Sequence, residues 1–538
     1  MNPGAAVSTR RPYARSAEIG AAAAIAVVAI GLRVLFAPQF DGLDDAGYLE
    51  AAQRVSQGRE LEGLFPLFRT RVGMAYPLGW LLGAGWLAPG QFWLLTLFAE
   101  CITIASLLAA GWLLAGTMSA GLWAAGAYAI YPLAVQQSAM YYPTAFQVAS
   151  IAAAVAFIAL ATRVAHPRIP AFAAGVSLGI GYLFKEDVAV VVPAIVLSSL
   201  LARFPRAWTT LAVCAGAAFV FGLESLVYWR STGEPLFRLT ATSGLGAPVQ
   251  EALQIAEIWR WDAFLRSLWL LPVQVGVAWW LALPAVWMLW RERRRVPRGL
   301  LFVGAALVVV MLYLQFGSGS LSAYTPLPKT PRYTALATPL LMLVLGGWLA
   351  RQVSAGRRFG MVAAAALVVA AVPCLVYLSI SSSERTRNTL AVLPALERIE
   401  PANLYTDYYG ARILRLLEPR SDVRVWYHAK FETNEIVISA DPRGADGAYV
   451  LLDRQAAKVY TSSYELQLPP QIDQPPPTWT LVWRHRAYGD GTLTRALLEG
   501  ARDASAWLPG DHPLGRRIQR SISDMIDGDE AMLFRVAH

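Results

Sequence analysis

Long apolar runs separated by short polar segments make up most of this 538-residue chain up to about residue 380. A helix that crosses a membrane needs about 20 mostly apolar residues. A shorter apolar run at 76–88 is interrupted by prolines and glycines, so we expect a helix in the membrane interface on the outer side. The pattern predicts eleven spans, at residues 17–36, 91–116, 119–140, 144–162, 169–184, 188–202, 207–229, 267–290, 299–316, 333–350 and 359–380.

The pattern changes at about residue 384. From there, short apolar strands alternate with amphipathic stretches: NLYTDYY, GARILRLLEP, DVRVWYH, GAYVLLDR, TLVWRHR and AMLFRVA. These stretches predict a small α/β domain. The predicted fold class is therefore a polytopic α-helical membrane protein of about eleven transmembrane helices, residues 1–383, followed by an extracytoplasmic α/β domain, residues 384–538.

The composition agrees with this division. The chain is 56% hydrophobic and 15% charged, whereas a soluble domain averages about 45–50% and about 25%. A purely soluble protein is excluded. Residues 1–383 carry 27 basic and 16 acidic side chains, while residues 384–538 carry 19 and 21. Because the positive excess belongs to the apolar part, it reports membrane topology, and we expect no nucleic-acid partner.

The arginines set the predicted orientation. Fifteen of them fall in alternate loops, namely the N-terminal tail, 163–168, 203–206, 291–298 and 351–358. The positive-inside rule places those loops in the cytoplasm. The N-terminus is then predicted to be cytoplasmic, and four segments are predicted to lie outside: 37–90 with its interfacial helices, 230–266, 317–332 and 384–538.

Several chemistries lack their sequence signatures. The three cysteines all lie in apolar runs, and the sequence contains no HExxH, no P-loop and no CxxC. Zinc hydrolase, ATPase and thiol chemistry are therefore unsupported.

The outer segment 37–90 begins with a carboxylate pair, Asp44 and Asp45, followed by Tyr48. Carboxylates at the membrane boundary could accept a proton from an incoming hydroxyl or hold a divalent metal. The alternative is a pair of first-turn acids that stabilise an interfacial helix through its dipole.

Other polar residues are predicted at the same outer face. Lys185 and Glu186 occupy a tight turn, which could be a solvated hairpin tip or a phosphate-binding site. Arg238 lies on an outer loop suited to a substrate lid. Charged residues inside spans, such as Arg33, Glu100 and Glu224, require a partner or a cavity. The remaining candidates are Tyr142, Lys329, Arg332 and Tyr333, for which interfacial anchoring is the alternative.

Residues 1–380 resemble the GT-C superfamily of membrane glycosyltransferases, in the branch of protein O-mannosyltransferases and bacterial lipid A aminoarabinose transferases. The resemblance rests on five features in order: DDAGY at 44–48, YPLGWLL at 76–82, Tyr142-Pro143, GYLFK at 181–185 and Arg332-Tyr333. One departure is Thr144, where the family often has an acidic residue.

The resemblance implies transfer of a hexose or pentose from a polyprenyl-phosphate carrier to a lipid, glycan or protein acceptor, with inversion, at the outer face of the cytoplasmic (inner) membrane. Asp44 would be the base, and Asp45 a helper or metal ligand. Tyr48, Tyr142, Lys185, Glu186, Lys329, Arg332 and Tyr333 would bind substrate. No cofactor is certain, although Asp44 and Asp45 could hold Mg or Mn. The alternatives are a transporter or flippase of a lipid-linked sugar and a non-catalytic membrane scaffold.

Overall fold

The structure is a computed structural model, and its chain forms two compact units, residues 1–38 with 51–379 and residues 39–50 with 380–538. The second unit thus includes the start of the segment 37–90, which the sequence assigns to an outer loop of the membrane domain. The described residues are 12–36, 40, 42, 44–243, 276–317, 331–382, 386–400, 402–418, 420–430, 435–458, 467–468, 470–472, 474–486, 493–505, 519, 522–523, 526 and 530–537.

The first unit is helical. Its helices, numbered along the chain, are α1 Pro12–Phe36, α2 Asp44–Ser56 (shared with the second unit), α3 Pro66–Thr70, α4 Val72–Gly83, α5 Trp93–Ala115, α6 Met118–Ala129, α7 Pro132–Ala139, α8 Pro143–Ala161, α9 Arg168–Phe184, α10 Val191–Ala202, α11 Ala207–Thr232, α12 Phe237–Ser243, α13 Ala278–Arg291, α14 Arg298–Phe316, α15 Thr338–Ser354 and α16 Arg358–Ser382. Short 3₁₀ helices at Glu186–Val190 and Pro331–Leu336 precede α10 and α15.

Within the described ranges, six helices are long and apolar enough to cross a membrane. The predicted span 119–140 is not one helix, because α6 ends at Ala129 and α7 begins at Pro132, with a bend of 58° between them. Proline has no amide hydrogen to donate and clashes with the preceding turn, so it starts a new helix here. If the bent pair crosses as one span, the number rises to seven, and the total of eleven stays a prediction.

Small residues bring α9 and α11 into close contact. A Cβ atom on Gly175 would collide with the backbone oxygen of Val213, and one on Gly216 would collide with that of Phe172. Glycine at both positions lets the two backbones approach closely, as is usual between helices in membranes. This packing fixes α9, whose last residue, Phe184, immediately precedes Lys185.

The second unit contains a six-stranded sheet of order β3-β2-β1-β4-β6-β5, which confirms the predicted α/β domain. Its strands are β1 Asn403–Asp407, β2 Asp422–Lys430, β3 Glu435–Ile438, β4 Tyr449–Asp453, β5 Trp479–His485 and β6 Ala531–Val536, and its helices include α17 Arg387–Leu396, α18 Tyr408–Leu417 and α19 Leu493–Ser505. Strand β1 pairs in parallel with β2 on one side and β4 on the other, with Leu404 opposite both Val423 and Tyr449. The other pairings are antiparallel.

Candidate functional site

The turn after α9 directs Lys185 toward an aromatic ring. Lys185 has extended backbone and ends α9, with its amide donating to Gly181 O. Its side chain is buried, with Nζ 3.1 Å from Asp187 Oδ2 and 4.4 Å from the centroid of the Tyr333 ring. The ammonium of Lys185 therefore lies between one carboxylate and one ring face.

Arg332 contacts the same ring from an exposed position. Its Cζ lies 5.6 Å from the Tyr333 centroid. Both residues belong to the 3₁₀ helix Pro331–Leu336, which packs against α8. The structure therefore brings together Lys185, Arg332 and Tyr333, three of the predicted site residues, and we call these three the cation pair and its ring.

Glu186, next to Lys185, is half-buried and belongs to a network of charged side chains whose other members are buried. Its carboxylate accepts from Arg71 Nη2 at 2.6 Å and from Arg238 Nη2 at 3.1 Å. Arg238 also donates to Glu224 Oε1 at 2.8 Å and lies 4.6 Å from the centroid of the Tyr182 ring. We call Arg71, Glu186, Glu224 and Arg238 the Glu186 network.

The Glu186 network is internally balanced, with two carboxylates and two guanidinium groups. Burial raises the pKa of Glu186, but the charges of Arg71 and Arg238 outweigh it and hold that pKa below its ordinary value. Glu186 is therefore ionised at neutral pH and fixes the turn that carries Lys185.

Tyr142 lies at the start of α8. It is buried, its amide donates to Met140 O at 2.9 Å, and it precedes Pro143, the first residue of the helix. Its neighbour Tyr141 donates its hydroxyl to Met74 O at 2.7 Å, which ties this link to α4. Lys329, another predicted substrate-binding residue, lies outside the described residues.

Asp44, Asp45 and Tyr48 belong to the second unit, so the structure does not group them with the cation pair and its ring. All three are in the first two turns of α2. Asp44 is half-buried, whereas Asp45 and Tyr48 are fully buried. One oxygen of Asp45 accepts the amide of Ala46 at 2.7 Å.

The carboxylate pair is a poor match for a metal site. Among the residues that the structure describes, no group of three or more His, Cys, Asp or Glu side chains could hold a metal ion. Divalent Mg and Mn bind through several oxygen ligands. Asp44 and Asp45 by themselves supply too few ligands for such a site.

Sequence reasoning missed Arg71 altogether. It also placed Arg238 on a lid, whereas Arg238 is only 2% exposed. The signal that existed was the cost of a charge inside a span. In the structure, Glu224 forms an ion pair with Arg238, and Glu100 Oε2 forms one with Arg33 Nη2 at 2.7 Å.

Neither a family model nor a curated protein matches this sequence. ArnT from Cupriavidus metallidurans in the apo state matches in structure with a TM-score of 0.54 and 14% identity, covering 87% of this chain and 96% of that chain. ArnT bound to undecaprenyl phosphate matches with a TM-score of 0.49 and 14% identity, covering 86% and 96%. Archaeal oligosaccharyltransferase AglB from Archaeoglobus fulgidus, in complex with an inhibitory peptide and a dolichol-phosphate, matches with a TM-score of 0.43 and 10% identity, covering 94% and 72%.

The likeness to apo ArnT shows a shared fold. The GT-C-like fold that the sequence predicts is confirmed, and the chain is a multi-pass membrane protein.

Proposed function

We propose that the protein is a membrane glycosyltransferase that moves a hexose or pentose from a polyprenyl-phosphate carrier to a hydroxyl acceptor, at the outer face of the cytoplasmic membrane. The observation that carries the proposal is the placement of Lys185 and Arg332 over the single ring of Tyr333, in a chain with a GT-C-like fold. Two cations at one ring suit a phosphate group, whose lipid tail would remain in the bilayer.

The proposed step is an inverting displacement. The acceptor oxygen forms a bond to the anomeric carbon as the bond from that carbon to the phosphate oxygen breaks. The electron pair of the broken bond leaves with the phosphate, and the hydroxyl proton passes to the carboxylate of Asp44. The products are the glycosylated acceptor, inverted at the anomeric carbon, and polyprenyl phosphate.

Each residue has one proposed role in this step. Asp44 is the general base, with Asp45 as its helper. Lys185 and Arg332 stabilise the negative charge that develops on the phosphate. Glu186 holds the turn that carries Lys185 through its ion pairs with Arg71 and Arg238. The remaining predicted residues would contact the substrate: Tyr48, Tyr142, Lys329 and Tyr333.

A transporter of lipid-linked sugars would need a sugar-sized site within the bilayer, typically at broken helices. The bend between α6 and α7 is such a break, and Glu100, Tyr131 and Thr144 are among the residues lining a cavity beside it. That cavity has room for about one water molecule. It does not favour transport over transfer.

The test is release of polyprenyl phosphate by the purified full chain in lipid nanodiscs, with a panel of polyprenyl-phosphate hexoses and pentoses as donors. Asp44→Asn should lower kcat by about 10²–10⁴-fold, as loss of a general base does. Its matched control is Glu60→Gln, an exposed acid of the same outer segment, which should leave kcat unchanged. Asp44→Asn with the rate of the unaltered protein would refute the base assignment.

Binding of polyprenyl phosphate alone tests the cation pair without knowledge of the sugar. Lys185→Ala and Arg332→Ala should each weaken that binding about tenfold or more, because each removes a charge-assisted hydrogen bond. Arg230→Ala, at an exposed position on α11, is the control and should bind normally. Normal binding by both variants would remove the phosphate site from the proposal.

A further inference from the structure

The segment that carries Asp44 and Asp45 is attached to the C-terminal domain within the second unit. The Thr386 hydroxyl donates to the backbone oxygen of Phe40, whose side chain is 1% exposed. The Arg412 guanidinium donates to Gly42 O at 3.5 Å. Both contacts come just before the first turn of α2.

Gly42 shows how tightly this segment is held. Its φ of +77° lies in the left-handed region that side chains rarely adopt. A Cβ atom there would lie 2.9 Å from Thr386 Cγ2 and 3.3 Å from Tyr409 Cβ. A side chain at residue 42 would therefore push the segment away from the C-terminal domain.

The contacts are close to the carboxyl end of β1. Tyr409 and Arg412 belong to α18, which directly follows β1, and Asp407 caps α18 by accepting the amides of Tyr409 and Gly410. Strand β1 has parallel neighbours on both sides. This is the position at which open α/β sheets usually bind ligands. Here the residues beside it contact the chain's own segment around Gly42.

We propose that Thr386, Tyr409 and Arg412 are positioning residues, which hold the Gly42 turn and thereby place the carboxylates of Asp44 and Asp45. The inference rests on the proposed function, in which Asp44 is the base. Misplacement of a reacting group by about 1 Å can cost about 10²-fold in rate. The C-terminal domain would thus act on the reaction through the base, without touching the substrate.

The experiment compares Gly42→Ala with Gly63→Ala in the full chain. Gly63 has a φ of +80°, and a Cβ there meets nothing within 4 Å among the described residues. Gly63→Ala thus reproduces the backbone strain without the collision. We expect Gly42→Ala to lower kcat by about 10–100-fold with a donor KM changed less than about threefold, and Gly63→Ala to leave both constants nearly unchanged.

Thr386→Ser supplies a rescue, because it removes the colliding Cγ2 and keeps the hydroxyl. The double variant Gly42→Ala/Thr386→Ser should recover part of the lost kcat. Thr386→Val, which keeps the bulk and loses the hydroxyl, should lower kcat about tenfold, whereas Thr386→Ser alone should be near normal. The comparison of Thr386→Val with Thr386→Ser still tests the inference if Gly42→Ala does not fold.

Two outcomes overturn the inference. One is Gly42→Ala with a kcat equal to that of Gly63→Ala, and the other is Thr386→Val with a kcat equal to that of Thr386→Ser. If Asp44→Asn is inactive while these variants are normal, the proposed function stands and the positioning role fails. If Asp44→Asn transfers sugar at the normal rate, the base assignment fails, and the positioning role fails with it.

Discussion

Removal of Arg238 tests the Glu186 network most directly. Its guanidinium lies 2.8 Å from Glu224 and 3.1 Å from Glu186, and the side chain is 2% exposed. Arg238→Met keeps most of the volume and removes the charge. Glu186 then retains Arg71, whereas Glu224 loses the cation that the structure gives it.

The expected loss in the free energy of unfolding follows from the charge of Glu224, which Arg238→Met leaves without its cation. Breaking a buried ion pair by removing one partner typically costs about 3–5 kcal/mol, because the other charge is left buried without compensation. We expect about 3 kcal/mol for Arg238→Met. The double variant Arg238→Met/Glu224→Gln removes both charges, so it should be about 1–2 kcal/mol more stable than Arg238→Met alone.

The assay is unfolding of the purified full chain in mixed micelles by a denaturing detergent, followed by tryptophan fluorescence. Arg230→Met is the control, since Arg230 is exposed on α11, and it should change the free energy of unfolding by less than about 0.5 kcal/mol. A cost for Arg238→Met no larger than that of Arg230→Met would refute the reasoning. A double variant no more stable than Arg238→Met alone would also refute it.

Two further predictions concern pH and helix packing. Burial raises the pKa of Asp453 to about 7 and that of Asp407 to about 6. The folded state therefore keeps protons that the unfolded state releases, and the stability present at low pH is lost as pH rises through those values. Chemical unfolding of the full chain should show a loss of roughly 3 kcal/mol from Asp453 between pH 5 and pH 8, and Asp453→Asn should remove that part of the pH dependence. An unchanged pH dependence in Asp453→Asn would contradict this. Gly175→Ala should lower the unfolding temperature markedly because of its collision with α11, whereas Gly222→Ala on α11, with nothing within 4 Å of its Cβ among the described residues, should not. Equal unfolding temperatures for the two variants would argue against close packing of α9 on α11.

The helices and strands were predictable because burial repeats locally along the chain. The strand Asn403–Asp407 and the helix Tyr408–Leu417 appear in the sequence as adjacent patterns of different period. The break at Pro132 was missed because hydropathy stays high across it, and the proline itself was the only local sign. Mean hydropathy measures how apolar a run is, and it does not report the direction of the backbone.

The charge networks could be predicted only in part. The sequence predicts a partner or a cavity for Glu224, because an isolated charge inside a membrane span is costly. Which partner it finds depends on the packing of distant segments. Arg71 lies 115 residues before Glu186 in sequence, and no local pattern joins the two. The same holds for Phe40 and Thr386, which are 346 residues apart.

The division of the site residues has a kinetic consequence for the proposed reaction. The cation pair belongs to the helical unit, whereas Asp44 and Asp45 are attached to the C-terminal domain. If the cations bind the phosphate and the acids act on the acceptor, changes at Lys185 should alter binding of polyprenyl phosphate, and changes at Thr386 should alter kcat alone. A scaffold or a transporter predicts no such separation, because neither needs a base. The separation of the two effects is therefore a stronger argument for sugar transfer than the loss of activity in any single variant.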